Sequence, residues 1–437
     1  MIALQLAVVL AAIFVGARLG GIAIGFAGGL GVLVLALLGV SPGAMPLDVI
    51  SIIMSVIAAI AAMQVAGGMD YLVDLADRFL RRSPRHLTFL APLVTYLMTF
   101  MAGTGHTAFS TLPVITEVAK ENNIRPSRPL SVAVVASQVA ITASPISAAV
   151  VFFAGAVEPL GVDYLELLAV VVPSTFLACM ATAALMMGLD RLRGASELST
   201  HPEFQRRWAA GEVTVSGRQD RQIRPGGRRS VVIFLVGLLG VMSYATLISD
   251  KVGLVAEPVM ERDAAIIAFM LATAAVIVLA CKVPTQEILG ASTFKAGMSA
   301  SICVLGVAWL GTTFVAANEE AIMAVAGDLL ASQPWALAVV LAFASALLYS
   351  QAATAKALVP TALAIGIAPL TAVASFAAVS ALFVLPTYPT LLAAVEMDDT
   401  GTTRIGRFVF DHPFLVPGTV NIAIAVSLGF VFGSVIL

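Results

Sequence analysis

Four short stretches hold most of the chemically capable residues in an otherwise apolar chain. They are Gly103-Thr104-Gly105-His106-Thr107, Thr142-Ala143-Ser144-Pro145-Ile146-Ser147, Ser350-Gln351-Ala352-Ala353-Thr354 with Lys356 close behind, and Thr387-Tyr388-Pro389-Thr390. Their common property is an excess of hydrogen-bond donors without acids: hydroxyls, an amide, a phenol, an imidazole and one ammonium. Each stretch interrupts an apolar run. An interrupted helix frees backbone N–H groups and presents a positive dipole end. Donors of this kind suit a small anion. They do not make a catalytic set, and no Walker loop, nucleophile elbow or metal-binding His/Cys spacing occurs, so no cofactor or metal is implied. Cys179, Cys281 and Cys303 lie in apolar stretches without paired spacing and read as small core residues. His201 and His412 are isolated.

Each candidate has a plainer reading. Thr104, Gly105, His106 and Thr107 form either a polar turn that satisfies its own backbone or a substrate contact, and we favour contact. His106 is the histidine at a break, able to donate to a carboxylate or carry a proton. Thr142, Ser144 and Ser147 beside Pro145, and Thr387 and Thr390 beside Pro389, are hydroxyl donors or groups bonding back to a kinked helix. Tyr388 gates or packs. Lys356, with Gln351 and Thr354 just before it, stands in a stretch, 329–395, that is otherwise uncharged. A lysine there is costly unless it faces a cavity or pairs; its plainer reading is snorkelling towards the interface, and we favour a counter-charge for one carboxylate, or for a nearby acid when the site is empty.

The elements that must position these residues follow from composition. The 437 residues are 59% hydrophobic and 11% charged, with mean hydropathy +1.00, which makes lipid the solvent for much of the surface. Net charge is −2, which gives no hint of a nucleic-acid partner. Apolar runs near the length of a span occur at about 1–16, 22–41, 46–66, 129–157, 163–189, 231–249, 264–281, 295–316, 371–396 and 413–436. Residues 1–16 read as a retained helix, since no basic n-region or cleavage site is seen. Two further stretches, 86–120 and 335–369, are broken near their middles. The polar segment 190–229 carries nine arginines and no lysine and is placed in the cytoplasm. Threading outward from it puts both ends of 86–120 on one face, as either two crossings or a re-entrant hairpin. Arms of about 15 residues favour the hairpin. Arg18 reads as a cytoplasmic topology signal. Asp70, Asp74, Asp77 and Arg78 mark an amphipathic surface helix before the first hairpin. Asp398, Asp399 and Arg404 read as a solvated inner loop, with a gate or partner contact as the sharper alternative.

The punctuation repeats. Pro84 and Pro334, Pro113 and Pro360, and Pro145 and Pro389 recur at offsets of 250, 247 and 244 (334 − 84, 360 − 113, 389 − 145). Five crossings per half is odd, so the halves are expected to be inverted. The reading is an all-α polytopic membrane protein. It comprises a first repeat at 1–189, a cytoplasmic Arg-rich linker at 190–229 and a second repeat at 230–437. Each repeat has five transmembrane helices and one re-entrant hairpin, about ten crossings and two hairpins in all, with both termini periplasmic. Inverted repeats with broken helices mark secondary transporters.

Several motifs carry a family resemblance: Ala17-Arg18-Leu19-Gly20-Gly21-Ile22, Gly25-Phe26-Ala27-Gly28-Gly29-Leu30-Gly31, Asp48-Val49-Ile50-Ser51-Ile52-Ile53-Met54, Ala62-Met63-Gln64-Val65-Ala66-Gly67-Gly68, Gly103-Thr104-Gly105-His106, Ile141 to Val150, and Gly401-Thr402-Thr403-Arg404-Ile405-Gly406-Arg407-Phe408. Across essentially its whole length, the chain resembles the Dcu family of anaerobic C4-dicarboxylate transporters, with the arginine-rich loop least typical. The resemblance implies exchange or uptake of fumarate, malate, aspartate and succinate across a bacterial inner membrane. It also implies an elevator-type fold, a homodimer and, for some members, contact with a sensor kinase. Other readings are a transporter of another small anion, a dicarboxylate-sensing partner of a kinase, and an intramembrane enzyme. A cation antiporter should carry buried acids on its broken helices, and here only Glu396 lies beyond Pro389.

Overall fold

The computed structural model describes residues 2–19, 22–45, 47–193, 197–215, 224–248, 255, 258–318, 321, 333, 335–364, 366–386, 388–406, 408 and 410–437. Thr387, Pro334, Asp250, Glu257, Glu319, Glu320, Asp328, Arg407 and the side chains of Arg18 and His106 lie outside that set. The regular elements described are helices. They are α1 (Ile2–Leu19), α2 (Ala23–Leu37), α3 (Leu47–Val65), α4 (Gly68–Arg82), α5 (Leu87–Ala102), α6 (Ala108–Glu121), α7 (Ser127–Val139), α8 (Ala148–Val157), α9 (Tyr164–Arg193) and α10 (Pro202–Ala209). They continue with α11 (Gly227–Leu247), α12 (Arg262–Cys281), α13 (Thr285–Gly290), α14 (Ser292–Ala317), α15 (Ala336–Leu348), α16 (Gln351–Ala364), α17 (Pro369–Ser375), α18 (Pro389–Met397) and α19 (Leu415–Ile436). In lipid the backbone must satisfy itself, and helices do so within one segment.

Five of these helices contain an unbroken stretch long and apolar enough to span: Tyr164–Asp190, Gly227–Leu247, Arg262–Cys281, Ser292–Phe314 and Leu415–Ile436. Ile50–Val65 and Gly68–Arg82 form a pair bent by 73°. The second member is the amphipathic helix expected from its acid spacing. Its Asp74 and Asp77 are buried and pair with Arg78 and Arg81, and Arg81 also meets Glu121 on α6. Shorter apolar helices remain at Ile2–Gly16, Gly25–Leu37, Ala148–Leu160, Ala336–Leu348 and Pro369–Ser380, several of them cut short by the breaks.

Packing divides the helices. α2 lies on α14, α3 on α12 and α14, and α11 on α12. The α2–α14 crossing depends on glycine. A Cβ at Gly25 would meet the Ile302 carbonyl oxygen at 2.3 Å, and one at Gly28 would meet the Gly306 backbone at 2.4 Å. Small residues let membrane helices approach to backbone contact, where dispersion replaces the hydrophobic effect that lipid removes. A small apolar cluster of Val9, Val32, Leu35, Val40 and Leu310 fills the space between α1, α2 and α14. The main core runs continuously from α3, α4, α11 and α12 into α5–α9 and α15–α19, where α5 packs on α7 and α9, α9 on α19, α16 on α8, and α6 on α18.

Candidate functional site

All four expected interruptions are real, and each has a local cause. α5 stops at Gly103, whose φ of +66° suits glycine and whose N–H caps Thr99 O at 2.8 Å. A 3₁₀ turn, Gly105–Thr107, then starts α6. Thr99 and Thr107 share a hydroxyl bond of 2.9 Å, and Thr95 and Thr111 one of 3.5 Å. Both pairs are centred on residue 103, so α6 retraces α5 as a hairpin. Gly105 lies against the Ser137 carbonyl (3.2 Å from a built Cβ) and Gly103 against Ile146, which seats this tip on the second break. Thr104 is half-buried, and the Thr107 hydroxyl also reaches Thr104 O at 3.3 Å.

At the second break α7 tightens into a 3₁₀ turn, Ala140–Thr142, and stops before Pro145, which disfavours a helical Ser144 and has no N–H to give. Ser147 restarts the chain as the N-cap of α8. Its hydroxyl accepts from Val150 N at 3.2 Å and donates to Ile141 O at 2.7 Å. Ser144 Oγ donates to Phe100 O at 2.7 Å, Thr142 Oγ1 to Val139 O at 2.7 Å, and the Tyr164 phenol to Pro145 O.

The third break turns on Tyr349, a non-glycine residue at φ +54°. Ser350 then caps α16, accepting from Ala353 N at 3.2 Å, and Thr354 Oγ1 donates to Ser350 O at 2.7 Å. Gln351 Nε2 donates to Gln138 O at 3.2 Å. Lys356 is half-buried, with Nζ 5.5 Å from the centroid of the Phe152 ring on α8. At the fourth break α17 runs into a 3₁₀ segment, Phe376–Ser380, and Pro389 opens α18 at N1. Tyr388 stacks on Tyr349 at 6.3 Å, and the buried Thr390 hydroxyl has no hydrogen-bond partner.

These breaks meet. The Gln138 carbonyl accepts from both Gln351 and Ser380 (3.1 Å), tying the end of α7 to the third and fourth breaks. α6, α8, α16 and α18 all begin at breaks, so four helix N-termini face this junction. No Asp or Glu occurs in 87–116, 129–157 or 335–395. Many candidate hydroxyls are spent on backbone carbonyls, which shifts the weight of a ligand contact to the N–H groups at the helix N-termini. Sequence reasoning passed over Gln138 and Ser380. The usable signal was an amide inside the uncharged run 129–157.

The inner loop is not a solvated one. Asp398 is 2% exposed, and its carboxylate gathers the hydroxyls of Thr400 and Thr402 and the Thr403 N–H. Lys120, at the end of α6, binds Glu117 (2.6 Å), Asp399 (3.0 Å) and Thr214 O (2.6 Å). Arg207 on α10 reaches Asp399 O at 3.2 Å, so the described part of the linker is docked on both halves. Its Glu203 carboxyl, clamped by Arg206 and Arg207, is pulled down to about 2.

The chain matches the family model described as "Anaerobic c4-dicarboxylate membrane transporter" over residues 1–437. It is 61% identical over 438 residues to the C4-dicarboxylate transporter DcuA of Wolinella succinogenes, covering 100% of both chains. Identity is 58% over 437 residues to DcuA of Escherichia coli K12, again covering 100% of both, and 36% to the anaerobic C4-dicarboxylate transporter DcuB of E. coli O6:H1, covering 99% and 98%. Among solved structures, the YdaH transporter of Alcanivorax borkumensis aligns with TM-score 0.55 at 15% identity, over 88% of this chain and 84% of that one, a likeness of fold. The relatives are transporters and not enzymes, and the chain belongs to the family of anaerobic C4-dicarboxylate membrane transporters.

Proposed function

We propose that this protein exchanges C4-dicarboxylates, among them fumarate, malate, aspartate and succinate, across the bacterial inner membrane by alternating access. The observation that carries the reading is the junction itself: four helix N-termini and Lys356 in stretches, 87–116, 129–157 and 335–395, without a single acid. Backbone donors at two opposed pairs of helix ends suit a ligand with a carboxylate at each end. Thr104, Gly105, His106, Thr107, Thr142, Ser144, Pro145, Ser147, Gln351, Thr354, Lys356, Thr387, Tyr388 and Thr390 are proposed to line the path, the backbone contributing as much as the side chains.

The proposed architecture is two inverted repeats, 1–189 and 230–437, joined by the cytoplasmic linker 190–229, with both termini periplasmic. Reciprocal packing supports it. If α2 corresponds to α12 and α3 to α14, then α2 on α14 mirrors α12 on α3, just as α16 on α8 mirrors α6 on α18. Hairpin arms of 16, 14, 13 and 14 residues are too short for the hydrocarbon, since at 1.5 Å per residue even the longest reaches roughly 24 Å of about 30 Å. That favours re-entrant hairpins beside ten crossings. A homodimer working as an elevator, its hairpins and broken helices moving against the remaining helices, completes the proposal. The test is uptake of labelled succinate into proteoliposomes, with and without internal fumarate, under imposed proton or sodium gradients. Uptake that needs internal dicarboxylate and ignores both gradients is the expected result. Folded protein that moves no dicarboxylate under any condition overturns the reading.

A further inference from the structure

Gln138 lies one turn before the break in α7, between Ser137 and Val139, and is 1% exposed. Its backbone carbonyl is the point where Gln351 and Ser380 converge. Its side chain is a different matter: neither Nε2 nor Oε1 has a hydrogen-bond partner. A primary amide offers two donors and two acceptor sites, and a buried one left unpaired is heavily penalised. An apolar residue of similar volume would avoid that penalty, and the neighbours Val134, Val135, Ala136, Val139 and Ala140 are all apolar and fully buried. Two more orphaned hydroxyls, Ser375 and Thr390, flank the elements that α7 touches, namely the 376–380 turn and α18. Unpaired polar atoms thus collect where the four breaks meet.

We propose that Gln138 is a specificity-determining residue whose amide takes the polar substituent on the second carbon of a C4-dicarboxylate. The assignment rests on the dicarboxylate reading above. A carboxylate would use Nε2 and leave Oε1 orphaned, while an ammonium would use Oε1 and leave Nε2. A hydroxyl both accepts and donates, so it satisfies both atoms at once. The order of benefit is therefore 2-hydroxy, then 2-amino, then unsubstituted, with the carboxylates left to the helix N-termini and Lys356.

The test uses the full chain in proteoliposomes, comparing malate, aspartate, fumarate and succinate as competitors of labelled succinate uptake. Gln138→Met keeps length and removes hydrogen bonding. It is expected to lower the malate-to-succinate preference roughly tenfold or more, because a site built to bond a hydroxyl discriminates strongly on it, with aspartate affected less. Melting temperature in detergent is expected to hold or rise, since an orphaned amide is being removed. The malate-to-succinate affinity ratio extracted from their protection against melting should fall by a similar factor, which reads the preference even if transport is lost. An unchanged ratio, an equal fall for all four compounds, or a variant that melts well below the parent overturns the assignment. Wild-type protein that carries none of the four removes the dicarboxylate reading and this inference together, an outcome distinct from any change in ratio.

Discussion

Ser147→Ala tests whether the second break is a built helix start. The hydroxyl caps the buried Val150 N at 3.2 Å and satisfies the part-buried Ile141 O at 2.7 Å. Loss of an N-cap costs about 1 kcal/mol. The carbonyl then keeps only the long contact from Ser144 N at 3.4 Å, and an under-satisfied buried acceptor adds about 1–2 kcal/mol. The sum, about 2–3 kcal/mol, corresponds to a factor of roughly 30–150 in the unfolding equilibrium. Reversible denaturant unfolding in micelles measures it directly. Two further variants separate capping from charge. Asn and Asp are both good N-caps, but Asp places a carboxylate where we seat a substrate carboxylate. Ser147→Asp is therefore expected to weaken succinate uptake at least about tenfold more than Ser147→Asn, since a hydrogen-bonded charge is worth 1.5–3 kcal/mol. An alanine variant as stable as the parent, or Asp and Asn variants that transport alike, would refute the reasoning.

Lys356→Ala should cut dicarboxylate uptake by at least about tenfold while Lys356→Arg retains part of it, measured as initial rates at subsaturating succinate. Gly28→Leu should separate α2 from α14, because a Cβ there already meets backbone at 2.4 Å, and should lower the melting temperature by a shift equivalent to about 1–3 kcal/mol or more. Gly29→Ala is the control: its Cβ meets nothing within 4 Å, so the expected effect is neutral or slightly stabilising. For the linker, the folded Glu203 carboxyl titrates at about 2, below the ordinary ~4.3 for glutamate. Its stabilising contribution is present above the ordinary value and is lost as pH falls through about 2. Glu203→Gln should therefore raise protease cleavage within 197–215 at neutral pH, and parent and variant should converge in acid.

The breaks were legible because their causes are local. Gly103 at φ +66° and proline at 145 and 389 announce themselves in any context. Tyr349 gave no such warning: a tyrosine in the left-handed region is held there by its surroundings, here including the stack on Tyr388. Gln138 was hidden for a related reason. The elements that converge on its backbone carbonyl, Gln351 and Ser380, lie more than two hundred positions away, and nothing local marks its amide as left over. The inner loop misled in the opposite direction. Asp398 and Asp399 look like solvated acids in sequence, yet Asp398 is closed over by the hydroxyls and backbone of its own loop, and Asp399 is fixed by Lys120 and α10.

The four helix N-termini have a consequence for the empty protein. Each helix end carries about half a positive elementary charge, so four amount to roughly two, close to the two negative charges of a dicarboxylate. A dianion would balance the four helix ends. Without it, the helix ends lie in stretches, 87–116, 129–157 and 335–395, that hold no acid. The cargo is thus the missing counter-ion of the machine that carries it. A return stroke with nothing on board would move an unbalanced positive charge through a medium that tolerates charge badly. On the exchange reading proposed above, swapping one dianion for another would avoid that barrier.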